Sequence, residues 1–210
     1  MFVSPAPREP KKGGDQTGQG LVEFALVFPL LFILLMGLIE VALAFNAQIA
    51  VNRASQNAAH FASIMGNQKG TDCLILQQVE EDISVPNDPS NLKMVLVERA
   101  ALVGNGSYEQ NIYMRTTDGS LLPCELPDGT VVDVPYTYPD PDGNYPEERR
   151  CNVLQGCEDP PRSTVDNIGV RVRYRHEWVT PLNAIFDVFG GGDTGWQFTQ
   201  RNIFRMEPVL

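Results

Sequence analysis

Histidine is scarce in this chain of 210 residues, with only His60 and His176 present. That excludes a His-rich metal centre, and both are expected to be structural. Positive charge is also short. Lys and Arg number 16 against 26 Asp and Glu, a net charge of −10. No surplus of cations is left for a broad phosphate-binding face, so nucleic acid is excluded as the main ligand. The Gly190-Gly191-Gly192 run is followed by no GK[ST], so it is not a phosphate loop. There is no CxxC pair to suggest zinc. No nucleophile elbow or paired base is recognisable, so no enzymatic activity and no cofactor are expected. What remains, 43% hydrophobic and 20% charged, is the composition of a folding protein.

Charge is missing most completely from Phe24 to Ile39, FALVFPLLFILLMGLI, sixteen residues without a strongly polar side chain. Glu23 precedes this run, Glu40 follows it, and Val41–Phe45 continues the apolar stretch. As a helix, Leu21 to Phe45 would extend about 37 Å, enough for a hydrocarbon core of about 30 Å. Soluble folds seldom use a helix that is apolar on every side. The leading segment 1–18 sums to +1 and segment 46–210 to −9. Basic residues Arg8, Lys11 and Lys12 next to the run favour a cytoplasmic N-terminus with the acidic bulk outside.

Three starts fit such a run: a secretory signal, a plain signal anchor or a pilin-type leader. Ala42-Leu43-Ala44 offers a small-x-small cleavage site for the first, although the run is long for a signal and Glu40 falls two residues before the site. That reading makes the chain a signal-anchored or secreted binding module that does not polymerise. The third start accounts for more residues. Gly18-Gln19-Gly20-Leu21-Val22-Glu23-Phe24 places a Glu five residues after a Gly as the apolar helix begins. This resembles type IV prepilins, and residues 17–64 resemble the TadE-like minor pilins of tight-adherence (Flp-type) pilus systems.

The resemblance implies that a prepilin peptidase cuts between Gly18 and Gln19, and that Gln19 becomes the mature, methylated N-terminus. It also implies that Glu23, beside Phe24, sets helix register against neighbouring pilin subunits and the pilus assembly platform. A carboxylate in the membrane is costly, by about 2.5–3.5 kcal/mol at mid-bilayer and less near the surface, so by default it is functional. Glu23 at the headgroup level, favoured by the positive helix end, is the simpler alternative. Pro29 removes the amide that would bond the Ala25 carbonyl, which predicts a kink. Glu40, about 25 Å further along the helix, has no evident role.

Beyond the membrane, residues 46–66 continue as an amphipathic helix with a seam of Ala47, Val51, Ala54, Ala58, Phe61 and Met65, ended at Gly66. Periodicity leaves open whether that seam meets a partner or this chain's own head. A second helix is expected from about Asp72 to Ser84. The remainder, 67–210, reads as a small extracytoplasmic β-rich head, giving an α+β class. Strand candidates are Leu92–Glu98, Tyr108–Thr116, Thr130–Tyr138, Ile168–Val179 and Trp196–Met206. The alternating Arg171, Arg173 and Arg175 suit a solvated outer sheet face. Ile185–Phe189 reads as a short turn.

Between Thr117 and Pro161 lie eight prolines and several Asp-Gly turns, an irregular stretch. Asp140, Asp142 and Asn144 alternate as calcium ligands do, but Gly143 comes too early for an EF-hand, so a solvated turn is the simpler reading. Cys73, Cys124, Cys151 and Cys157 fall on the outer side, where an even count favours disulfides. Four cysteines permit three pairings. Cys151–Cys157, closing a small loop, with Cys73–Cys124, tying the second helix to the irregular stretch, is the pairing expected here.

Overall fold

The computed structural model describes residues 17–83, 87–100, 107–137, 145–158, 161, 163–182, 184 and 195–208. The calcium candidates Asp140, Asp142 and Asn144, the turn 185–189, the triple glycine and residues 1–16 lie outside the described residues. The class is α+β, a long apolar helix followed by a β-rich head with a short helix.

Helix α1, Thr17–Met65, is unbroken for 49 residues, about 73 Å at 1.5 Å per residue. Gly66 ends it with φ of 61°, the left-handed conformation that a helix stop favours. Helix α2, Thr71–Asp82, follows. The strands are β1 (Leu92–Ala100), β2 (Ser107–Arg115), β3 (Leu122–Glu125), β4 (Val131–Val134), β5 (Tyr136–Thr137), β6 (Asn167–His176) and β7 (Trp196–Arg205). Five of them form an antiparallel sheet in the order β5-β2-β1-β6-β7, and β3 and β4 form a separate two-stranded ribbon.

Alternation in β1 and β6 decides which sheet face meets the helices. Val95 pairs with Val172 and Val97 with Val170. These four side chains are fully buried with Ile75, Leu76 and Val79 of α2 and Ala47, Val51, Ala54 and Ala58 of α1. The small residues let α1 lie close across β6 and β7, as period-2 and helical stripes require when they share a core. Four of the six seam residues are therefore settled: Ala47, Val51, Ala54 and Ala58 face this chain's own head. Phe61 packs partly buried against the same core.

The opposite sheet face is less solvated than its arginines suggest. Glu98 is fully buried there. Arg171 lies 3.2 Å from one of its carboxylate oxygens, and the Arg201 guanidinium holds the other. Opposite Glu98 in the ladder is Gly169, where a Cβ would sit 3.2 Å from Glu98 Cγ. Cross-strand charge pairing, absent from any single strand's pattern, is why Arg171 is half-buried.

The stretch from Thr117 is more regular than its composition predicts, because it holds β3 and β4. The expected strand Thr130–Tyr138 divides at Pro135, which has no N–H for a ladder. Val131–Val134 stays in the ribbon, while Tyr136–Thr137 joins the large sheet beside β2. Both expected disulfides form, Cys73–Cys124 and Cys151–Cys157. The first fastens the ribbon to α2.

A buried polar cluster locks the α2 N-terminus. The amides of Gly70 and Asp72 donate to the two oxygens of Glu147, each at 2.6 Å, supplying the cap that the helix lacks locally. Burial and the neighbouring Asp72 charge raise Glu147 above the usual carboxylate range. Asp72 accepts from Arg150 at 2.6 Å, Tyr113 at 2.7 Å and Asn111 at 2.9 Å. Gly70 takes φ of 83°, and a Cβ there would fall 2.2 Å from the Glu125 carbonyl oxygen. Only glycine admits the ribbon so closely.

The Cys73–Cys124 bridge spans a separation of 51 residues. Replacing both cysteines with serine is expected to lower head stability by roughly 2–4 kcal/mol, read from the denaturant midpoint. The same change should open the 122–134 ribbon to protease before the five-stranded sheet yields.

Candidate functional site

Helix α1 is one element with two surfaces. From Gly18 to Leu35 every residue is exposed, and large apolar side chains stand out on all sides, with Leu21 at 71%, Leu26 at 75% and Leu30 at 70% exposure. This half is long and apolar enough to cross a membrane. Thereafter one stripe is buried: Glu40, Ala44, Ala47, Val51, Ala54, Ser55, Ala58, Ala59 and Ala62. The change falls within two helical turns.

The residues singled out at the start of the helix lie in the exposed half. Gly18 has open space where a Cβ would go. Gln19 Nε2 donates to Glu23 Oε1 at 3.3 Å, one turn along. Phe24, Phe28 and Phe32 form a ladder with ring centroids 5.3 and 6.0 Å apart, the i, i+4 contact of helical neighbours. Pro29 sits inside the helix, which runs on through it. Structure therefore brings Gln19 and Glu23 together, while the four cysteines lie apart in the head.

Sequence reasoning gave Glu40 no role, and it is the residue that joins the halves. It is 1% exposed. Its Oε1 lies 3.1 Å from His176 Nε2 and accepts from the Val179 amide at 3.2 Å; Oε2 accepts from the Thr180 amide at 2.9 Å. These bonds explain why β6 ends at His176 and not at Val179, since the next amides turn towards the helix. Bonds to a charged acceptor are worth about 1.5–3 kcal/mol, and leaving buried donors without one costs a similar amount. The signal was present: Glu40 lies one heptad before Ala47, in register with the buried stripe. Further along, Ser55 Oγ donates to the Val170 carbonyl at 2.7 Å, and the Glu207 amide to the Ser63 carbonyl at 2.8 Å. The helix is thus bolted along its outer length.

Among the described residues no group of three His, Cys, Asp or Glu side chains could hold a metal ion. A cavity of about 320 Å³ by the α2 N-terminus is lined by Lys69, Asp72, Tyr113, Glu125 and Glu147. Two of those carboxylates already serve the buried cluster, Asp72 with Arg150 and Glu147 with the helix amides.

Glu40→Gln should speed amide hydrogen exchange at Val179 and Thr180 about tenfold in the detergent-solubilised chain. Glu23→Gln should leave both amides unchanged, because Glu23 is exposed and bonds within its own helix turn.

Comparison with known proteins bears on the same element. No curated protein and no solved structure matches the chain. Residues 18–60 match a protein family, described as TadE-like protein. The match starts at Gly18, spans the exposed apolar half and runs through Glu40 into the head-facing stripe. Over this helix, about a fifth of its length, the chain is similar to the TadE-like family.

Proposed function

We propose that this protein is a minor pilin-like component of a tight-adherence (Flp-type) pilus, held in the membrane by α1 until assembly. The supporting observation is the helix itself. Its first half exposes apolar side chains on every side, which water does not tolerate but lipid or sister helices do. The TadE-like match over 18–60 points the same way. In this reading the N-terminus is cytoplasmic and the head lies outside, where both disulfides persist. A prepilin peptidase cuts after Gly18, an exposed residue without a side chain to obstruct it.

Glu23 then has a defined task. Held at the entry of the apolar segment beside Gln19, its carboxylate pairs with the N-terminal amine of a neighbouring subunit. Out of water, that attraction is strong enough to fix axial register between helices that otherwise pack without preference. Helix packing supplies most of the association, and the ion pair selects one alignment. Adhesion is the use of the finished fibre, displayed through the head.

Mass spectrometry of the mature chain tests the processing step. A start at Gln19 is expected, lost when Gly18 is replaced by Trp. A start after Ala44 would mean secretion, and an intact Met1 a plain anchor; either defeats the pilin route. Glu23→Ala should remove the protein from sheared surface fibres while leaving it in the membrane.

A further inference from the structure

The chain has two tryptophans, and both stand at the end of the head from which the apolar helix leaves. Strand β6 runs antiparallel to the outer half of α1. Its Val170 receives the Ser55 hydroxyl, and six residues later His176 meets Glu40. The end of β6 and the start of β7 are therefore level with residues 40–45 of the helix. There the rings of Trp178 and Trp196 meet edge to face at 5.7 Å. Trp196 and Phe198 line an apolar notch of about 210 Å³ with Val41, Ala44 and Phe45. Val179 leaves its side chain 70% exposed, Phe45 60% and Trp196 38%. The Val179 and Thr180 amides are fixed to the buried Glu40, so this collar is held to the helix and cannot swing away from it.

We infer that the collar of Trp178, Val179, Trp196 and Phe45 is a membrane seat, set into the headgroup layer of the bilayer that α1 crosses. The inference rests on reading α1 as a membrane span. Continuity carries it: the collar adjoins the exposed apolar surface of Leu21–Ile39 without a polar gap wider than the buried Glu40. Nineteen helical residues, Leu21–Ile39, measure about 28 Å, close to the hydrocarbon thickness of about 30 Å. The hydrocarbon then ends at Glu40, and the collar falls at the depth where Trp is enriched, because its ring is apolar and its N–H wet. Charge does not draw it there. Glu177 is exposed beside Trp178, and Asp88 lies on the same rim, lining a cleft with Leu43, His176 and Val179. The seat is therefore apolar, suited to zwitterionic lipid and indifferent to salt.

Intrinsic fluorescence reads only these two tryptophans. The full chain is reconstituted in phosphatidylcholine vesicles carrying bromine at graded acyl depths. Emission should shift to the blue and be quenched most by the shallowest bromines, with little quenching by aqueous iodide and no dependence on salt. Val179→Asp should cut the bromine quenching about twofold while the chain still floats with the vesicles. A chain that floats with the vesicles but whose tryptophans answer to iodide and not to bromine would overturn the seat and leave the span standing. Tryptophans shielded from both quenchers at every protein-to-lipid ratio would mean another subunit covers the collar, and would also overturn it. A chain that does not float would defeat the span and the seat together.

Discussion

A single buried carboxylate joins two kinds of helix surface in this molecule. Below Glu40 the helix is apolar on all sides and exposed; above it, one stripe of small residues packs on β6 and β7. Glu40 would be expensive in either setting without partners. The His176 ring and the amides of Val179 and Thr180 offset that cost, and in accepting from them Glu40 fixes where the head begins along the helix. The level of the sheet's near edge, the end of β6 and the position of the tryptophan collar all follow from that one attachment.

The rest of the head serves to make the attachment rigid. The sheet is antiparallel and its helix-facing side is filled by Val95, Val97, Val170 and Val172, so α1 rests on a packed surface rather than a loop. At the far side, the Glu147 cap, the Asp72–Arg150 pair and the Cys73–Cys124 bridge hold α2 and the ribbon in place. A long helix that crosses into a stiff head can transmit a fixed orientation. A pilin-like subunit needs this if its head is to be displayed at one angle when helices pack side by side.

Much of this was legible in the sequence, for definable reasons. The apolar run, the second helix and the alternation of β6 are local patterns, and each survives in the fold within a few residues. An even cysteine count favoured disulfides and a small loop favoured Cys151–Cys157, which leaves Cys73 and Cys124, 51 residues apart, as the other pair. What could not be read was long-range. Glu40 looked idle because its partners lie more than a hundred residues away. Glu98 gave no sign that Arg171 and Arg201 would converge on it from two other strands. The split at Pro135 was written in the sequence, but whether the two halves stayed in one sheet depended on where the ribbon docked. Periodicity showed that the α1 stripe was apolar without showing what it touched.

The division of α1 at Glu40 can be measured residue by residue. Photoactivatable lipid, cross-linked to the full chain in vesicles and mapped by mass spectrometry, should label Leu21–Ile39 around the whole circumference of the helix. Labelling should fall away beyond Glu40 and be absent from Ala47–Ala62. Labels that continue evenly into Ala47–Ala62, or that are missing from Leu21–Ile39, would contradict the picture of one helix shared between membrane and head.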